Sequence, residues 1–212
     1  TISTASGAAR IRGSVAADDS VSTSLSSASA IAKAAAINDS SETTGVRAIV
    51  GETSVTGSGA VSAMTLDEAN YITINDQKIS GITVEANDAS GSLVDAINAV
   101  SSETGVVASL DESSQLMLTA ADGRNIEVNF TAGTAAGDVG IATGLMGLGA
   151  STVAAGGGAA SLSMVATGQI TLQSDELFEL AGTTAQIGFT DTGVYGVNAD
   201  SSVKNVDVTT RQ

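Results

Sequence analysis

The sequence predicts an α+β protein of two small domains, each a short antiparallel sheet packed by one helix, with the second domain inserted into the first. Two observations carry this expectation. Residues 71–130 alternate apolar and polar side chains over two short runs, pass through one amphipathic helix and alternate again, a β-β-α-β-β order. Part of that unit also stands 60 residues earlier. Ala36, Ile37, Asn38, Ser41, Thr44, Gly45, Val46 and Ala48 recur as Ala96, Ile97, Asn98, Ser101, Thr104, Gly105, Val106 and Ala108.

From Thr1 to Asp19 a weak alternation through Ile11 and Val15 suits one or two edge-like strands before an Asp18-Asp19-Ser20 turn. An Ala-rich helix is expected between Ser24 and Asn38, with Leu25, Ala28, Ile31, Ala35 and Ile37 as its apolar face. The first copy of the repeat follows, and after Val50 the chain reads as a linker through Gly51-Glu52-Thr53-Ser54 and Gly57-Ser58-Gly59. In the second copy, Ile72 and Ile74 lead into an Asn75-Asp76 turn, and Ile79, Ile82 and Val84 continue the alternation. Ser90 or Ser92 is placed to cap a helix whose Leu93, Ala96, Ile97 and Val100 share one face, ending before Gly105. Strands through Val106–Leu110 and Leu116–Leu118 and a hairpin turning at Asp122-Gly123 into Ile126 and Val128 complete it.

The first copy lacks its closing strands. Gln169-Ile170-Thr171-Leu172 resembles Gln115-Leu116-Met117-Leu118, and Leu177-Phe178-Glu179-Leu180 matches Asn125-Ile126-Glu127-Val128 around a Ser174-Asp175 turn. The expectation is therefore a split outer domain, 1–64 plus 151–212, enclosing an inserted domain, 65–150. It requires contact between residues 45–50 and 168–180; two motifs in tandem with a loose C-terminal region is the alternative. Leu145, Met146 and Leu148 suit a short helix or turn covering a sheet, Gly156-Gly157-Gly158 a connector, and Ile187 and Phe189 precede a tail with a helix start near Asp207 or Thr209. The chain reads as a piece of something longer, with its two ends close together.

Composition narrows the function. Hydrophobic residues make up 42% of the chain but aromatics only 2%, so the core is built from small aliphatic side chains and each domain leans on hydrogen-bonded sheet. A net charge of −15 without a basic cluster argues against nucleic acid and against an anionic membrane surface. There is no Cys and no His, which removes disulfides, thiol nucleophiles, the usual general base and most zinc sites. The pairs Asp67-Glu68, Asp111-Glu112 and Asp175-Glu176 fall at turns or strand ends, where solvation explains them better than acid/base chemistry. Neither glycine-rich run, 144–149 or 156–158, is followed by the Lys of a phosphate-binding loop. No catalytic residue, cofactor-binding residue or metal ligand is expected, and no enzyme.

The order of a YITIND strand, a helix ending in DAINAVSSETGV, a VASLD strand and a QLMLTAADGRNIEV hairpin resembles the flagellin IN motif. That motif occurs in the variable central region of bacterial flagellins and in some hook-associated and filament-cap proteins. Ala96-Ile97-Asn98, Thr104-Gly105-Val106 and Asp122-Gly123-Arg124 carry the resemblance together, over about 60 residues. It implies a structural role in an extracellular filament used in motility, with other copies of the same subunit as partners and no catalytic residues to carry over. The alternatives are a filament-cap or hook-junction protein, told apart by long amphipathic flanking helices, and a cell-surface adhesin module, which needs an aromatic-lined site.

Overall fold

Every strand pairing among the described residues is antiparallel. The structure is a computed structural model and describes residues 1–132, 160–182 and 193–196. The stretch at 139–148, the glycines at 156–158, Ile187, Phe189 and the tail from Val197 lie outside the described residues.

The chain opens with β1 (Ile2–Thr4) and β2 (Ala8–Ala9), followed by α1 (Ala30–Asn38), α2 (Ser41–Thr44) and β3 (Arg47–Val50). Next come β4 (Thr53–Ala60), β5 (Met64–Leu66), β6 (Tyr71–Ile74), β7 (Gln77–Ile79) and β8 (Ile82–Val84). The helices α3 (Ser92–Ala99) and α4 (Ser101–Thr104) lead into β9 (Val107–Leu110), β10 (Gln115–Ala120) and β11 (Ile126–Ala132). The remaining described strands are β12 (Ala160–Ala166), β13 (Ile170–Gln173), β14 (Phe178–Leu180) and β15 (Gly193–Tyr195).

Two apolar clusters result. The larger lies among the sheets β4-β10-β9, β12-β11-β6-β7 and β5-β8. Leu93 and Ile97 reach it from α3 with no exposure, each contributing about 1.5–3 kcal/mol of burial. The smaller joins Ile2, Ala34, Ile37, Val46, Ala48, Phe178 and Leu180 between the sheets β15-β14-β1-β2 and β13-β3. The expected contact is made, Ile170 pairing with Val50 and Leu172 with Ala48. That pairing repeats the second copy, where Leu118 of β10 faces Ala108 of β9. β14 in turn pairs with β1, Leu180 opposite Ile2, as β11 pairs with β6, Val128 opposite Ile74.

Three local expectations are corrected. The segment expected as a linker is the eight-residue strand β4, paired with β10 from Thr53↔Ala120 to Ala60↔Gln115. Gly57 there is buried, and a Cβ added to it would meet the Leu116 backbone at ordinary contact distance. The run expected to close as a hairpin at Asp122-Gly123 turns a corner instead: β10 lies between β4 and β9, whereas β11 lies between β12 and β6. Helix α1 begins only at Ala30, capped by Ser29, and buries Ala30, Ala32, Ala34, Ala36 and Ile37; Leu25 is exposed, in a left-handed conformation at φ 48°. The Asn75-Asp76 turn is as expected, both residues at positive φ between β6 and β7.

Candidate functional site

The residues that repeat are the ones that fasten each helix to the strand after it. Asn98 at the end of α3 donates from Nδ2 to Ala108 O at 3.0 Å and accepts at Oδ1 from Ala108 N at 2.8 Å. Asn38 does the same for Ala48, at 3.0 and 2.8 Å. A side-chain amide carries one acceptor and two donors in the geometry of a peptide group, so it satisfies a strand residue as a neighbouring strand would. Thr104 Oγ1 accepts from Val106 N at 3.1 Å and Thr44 Oγ1 from Val46 N at 3.2 Å. Gly105 and Gly45, at φ 69° and 67°, are the left-handed residues that end α4 and α2.

The two copies diverge around this frame. In the second, Asp88 rather than Ser90 or Ser92 caps α3, accepting from Leu93 N and Val94 N at 3.0 Å each, while Ser92 Oγ donates to Thr83 O. The buried Asn75 donates to Thr104 O at 2.8 Å and accepts from Glu127 N at 2.8 Å, tying the first turn of the motif to its last strand. Arg124 also donates to Thr104 O, at 3.2 Å, and its guanidinium lies where a Cβ on Gly105 would be. Nothing comparable crowds Gly45.

The corner at Asp122–Asn125 also joins the two clusters. Gly123 is buried against Val50 and Gly51. Asn125 N donates to Ser22 Oγ at 2.9 Å and Asn125 Nδ2 to the carbonyls of Ser24 and Leu25 at 3.0 and 3.2 Å. The sequence named Asn125 only as part of a turn and a strand, because its partners lie about a hundred residues away.

Of the paired carboxylates, Asp67 and Asp111 are used in turns, and Glu68 and Glu176 in other contacts. Asp67 accepts from the amides of Ala69 and Asn70, Asp111 from Ser113 and Gln115, and Glu176 from Ser6; Glu68 pairs with Lys78. Among the described residues no three acidic groups gather around one metal position. No helix of the described residues is long and apolar enough to cross a membrane. A groove of about 690 Å³ beside β13 is lined in part by Ile170, Leu172, Phe178 and Tyr195, and the Tyr195 ring is engaged in a stack on Phe178 at 5.8 Å.

Asp18 and Asp67 lie below the ordinary carboxylate value of 3.8, Asp18 through hydrogen bonds from Arg12 and the Val15 amide, Asp67 through the amides of Asn70 and Ala69. For Asp122, burial works in the opposite direction and is overcome by the bonds from Arg124. A lowered native value means that the stabilisation is full above the unfolded value and is lost as pH falls through the native one. Urea midpoints should therefore hold level from pH 7 to about 5 and fall below about 4. Asp122→Asn, already without that stabilisation, should fall less over the same descent; a loss beginning above pH 6 would contradict the assignment.

Residues 72–122 match the family model of the flagellin hook IN motif. Flagellin A of Helicobacter mustelae is 41% identical over 103 residues, covering 48% of this chain and 20% of the relative. Flagellin B of Helicobacter pylori (strain ATCC 700392 / 26695) is 40% identical over 107 residues, 49% of this chain and 19% of the relative. B-type flagellin of Pseudomonas aeruginosa is 32% identical over 162 residues, 71% of this chain and 31% of the relative. The chain thus spans a third or less of these relatives. With the motif's side chains serving as fasteners and flagellins as its relatives, the chain is a flagellin-family protein.

Proposed function

We propose that this chain forms the surface-exposed outer part of a subunit of an extracellular flagellar filament, that its role is structural rather than catalytic, and that its partners are other copies of the same subunit. The observation that carries the reading is the likeness to flagellins, which reaches 71% of the chain in the Pseudomonas relative, together with a motif at 72–122 whose side chains fasten backbone to backbone. The use of Asp67 and Asp111 in turns and the charge of −15 fit a solvated outer surface that binds neither nucleic acid nor membrane.

The split arrangement, roughly 1–64 with 151–212 around 65–150, belongs to the same proposal. It is supported by the β3–β13 and β1–β14 pairings, by the separation of the apolar clusters and by the bond from the Thr1 amino group to Ala181 O at 2.9 Å. The place of β4 beside β10 and of β12 beside β11 favours unit boundaries nearer Thr53 and Ala166.

Peptide mass spectrometry of sheared surface filaments tests the reading. Peptides of this chain should be among the most abundant, in a parent protein with long amphipathic helices on both sides of it. Recovery in trace amounts would move the assignment to a filament-cap or hook-junction protein, and absence from the filament fraction would overturn it.

A further inference from the structure

A strand at the edge of a sheet offers unpaired N–H and C=O groups to any strand that approaches, and folded proteins blunt such edges by identifiable means. β9 stands at the edge of β4-β10-β9, and β3 at the edge of its pair with β13. Along an antiparallel ladder the backbone groups of successive residues point alternately toward the partner strand and away from it. Asn98 and Asn38 hold both polar groups of Ala108 and Ala48, which are therefore the ones facing outward. Two residues earlier, the amides of Val106 and Val46 are held by Thr104 and Thr44. The outward edge of each strand is thus occupied by side chains from the helical segment before it. Next to the held residues, Val107 is 55% exposed and Ile49 is 46% exposed, apolar side chains that would favour strand addition on an open edge.

We infer that Asn38 and Asn98 are edge locks that deny β3 and β9 to a strand from a second copy of this chain. A second copy is the occupant because residues 105–110 carry no charge and residues 45–50 carry none but that of Arg47, whereas the chain as a whole carries −15 and repels its copies elsewhere. Strand meeting strand at these edges, which carry no negative charge, is the contact that repulsion opposes least. Copies standing side by side in the proposed filament would make such a lock necessary; the hydrogen bonds themselves do not depend on that reading, and the test uses this chain alone.

Light scattering after size-exclusion chromatography, at rising protein concentration, should find the wild type monomeric and Asn98→Ala associated, with at least a doubling of weight-average mass. Adding Val107→Lys to Asn98→Ala puts a charge beside the opened edge and should return the monomer without restoring the lowered melting temperature. That combination separates an opened edge from a loss of stability. Asn38→Ala, with and without Ile49→Lys, repeats the test at β3. An associated wild type, a folded alanine variant that stays monomeric, or association that survives the lysine overturns the inference. Should neither alanine variant fold, hydrogen exchange of the wild type decides. The amides of Ala48 and Ala108 should exchange at least about tenfold more slowly than that of Thr56, which points out of β4 by the same alternation. Equal rates overturn it.

Discussion

Replacing Phe130 by Ala should destabilise the larger cluster by about 3–5 kcal/mol, a large part of the roughly 5–15 kcal/mol that holds a domain together. Phe130 is 1% exposed in β11, the strand flanked by both β12 and β6, where it stands opposite Leu162 and Ile72. Among the described residues it is the only aromatic side chain in that cluster, whose other members are Ile, Leu, Val, Met and Ala. Small aliphatic neighbours anchored on paired strands have little freedom to swing into the space a ring leaves, which places the cost toward the upper end. Urea unfolding should show a lower midpoint with an unchanged slope. Phe178→Ala, in the smaller cluster, serves as the comparison, since hydrogen exchange should then rise first in β1, β3 and β14 rather than in β6 and β11. A loss of less than about 1 kcal/mol at Phe130 would mean that the cluster repacks freely.

The sequence made the motif's helix and its apolar face legible because Leu93, Ala96, Ile97 and Val100 recur at helical spacing, and Leu93 and Ile97 are without exposure. The return of β13 to β3 was legible for a different reason: a repeat that lacks its last strands has to find them elsewhere in the chain. What stayed hidden depended on partners distant in sequence. β4 reads as a linker because Gly57 and Gly59 interrupt it and it carries one sizeable apolar residue, Val55; it is a strand because β10 offers it an edge. Asp88 could not be read as the cap of α3, since Asn87 and Asp88 both take left-handed conformations to bring that carboxylate under the first turn. The role of Asn38 and Asn98 was half legible. Recurrence marked them, but only the geometry shows an amide standing in for a strand.

Gly123→Ala should cost more than Gly45→Ala, although both glycines sit at nearly the same positive φ, 78° and 67°. A left-handed conformation costs an L-residue about 1–2 kcal/mol, and at Gly45 that is the whole expected loss because a Cβ there meets nothing within 4 Å. At Gly123 the same Cβ would stand 2.2 Å from Val50 Cγ1 and 2.7 Å from Gly51 O. Overpacking of this kind adds about 1–3 kcal/mol, for a total of roughly 2–5 kcal/mol. Val50 has rotamers to try, but Gly51 O is backbone, and Gly51 N donates to Gln169 O at 2.9 Å where β3 meets the start of β13. Relief at the corner therefore has to disturb the β3–β13 pairing, so the damage should appear in both clusters at once. The corner glycine thus serves more than the turn, because the motif's tip lies against the strand of its own first copy. Equal losses at Gly45 and Gly123 in urea unfolding would show that the two copies pack independently and that the conformational term alone explains both glycines.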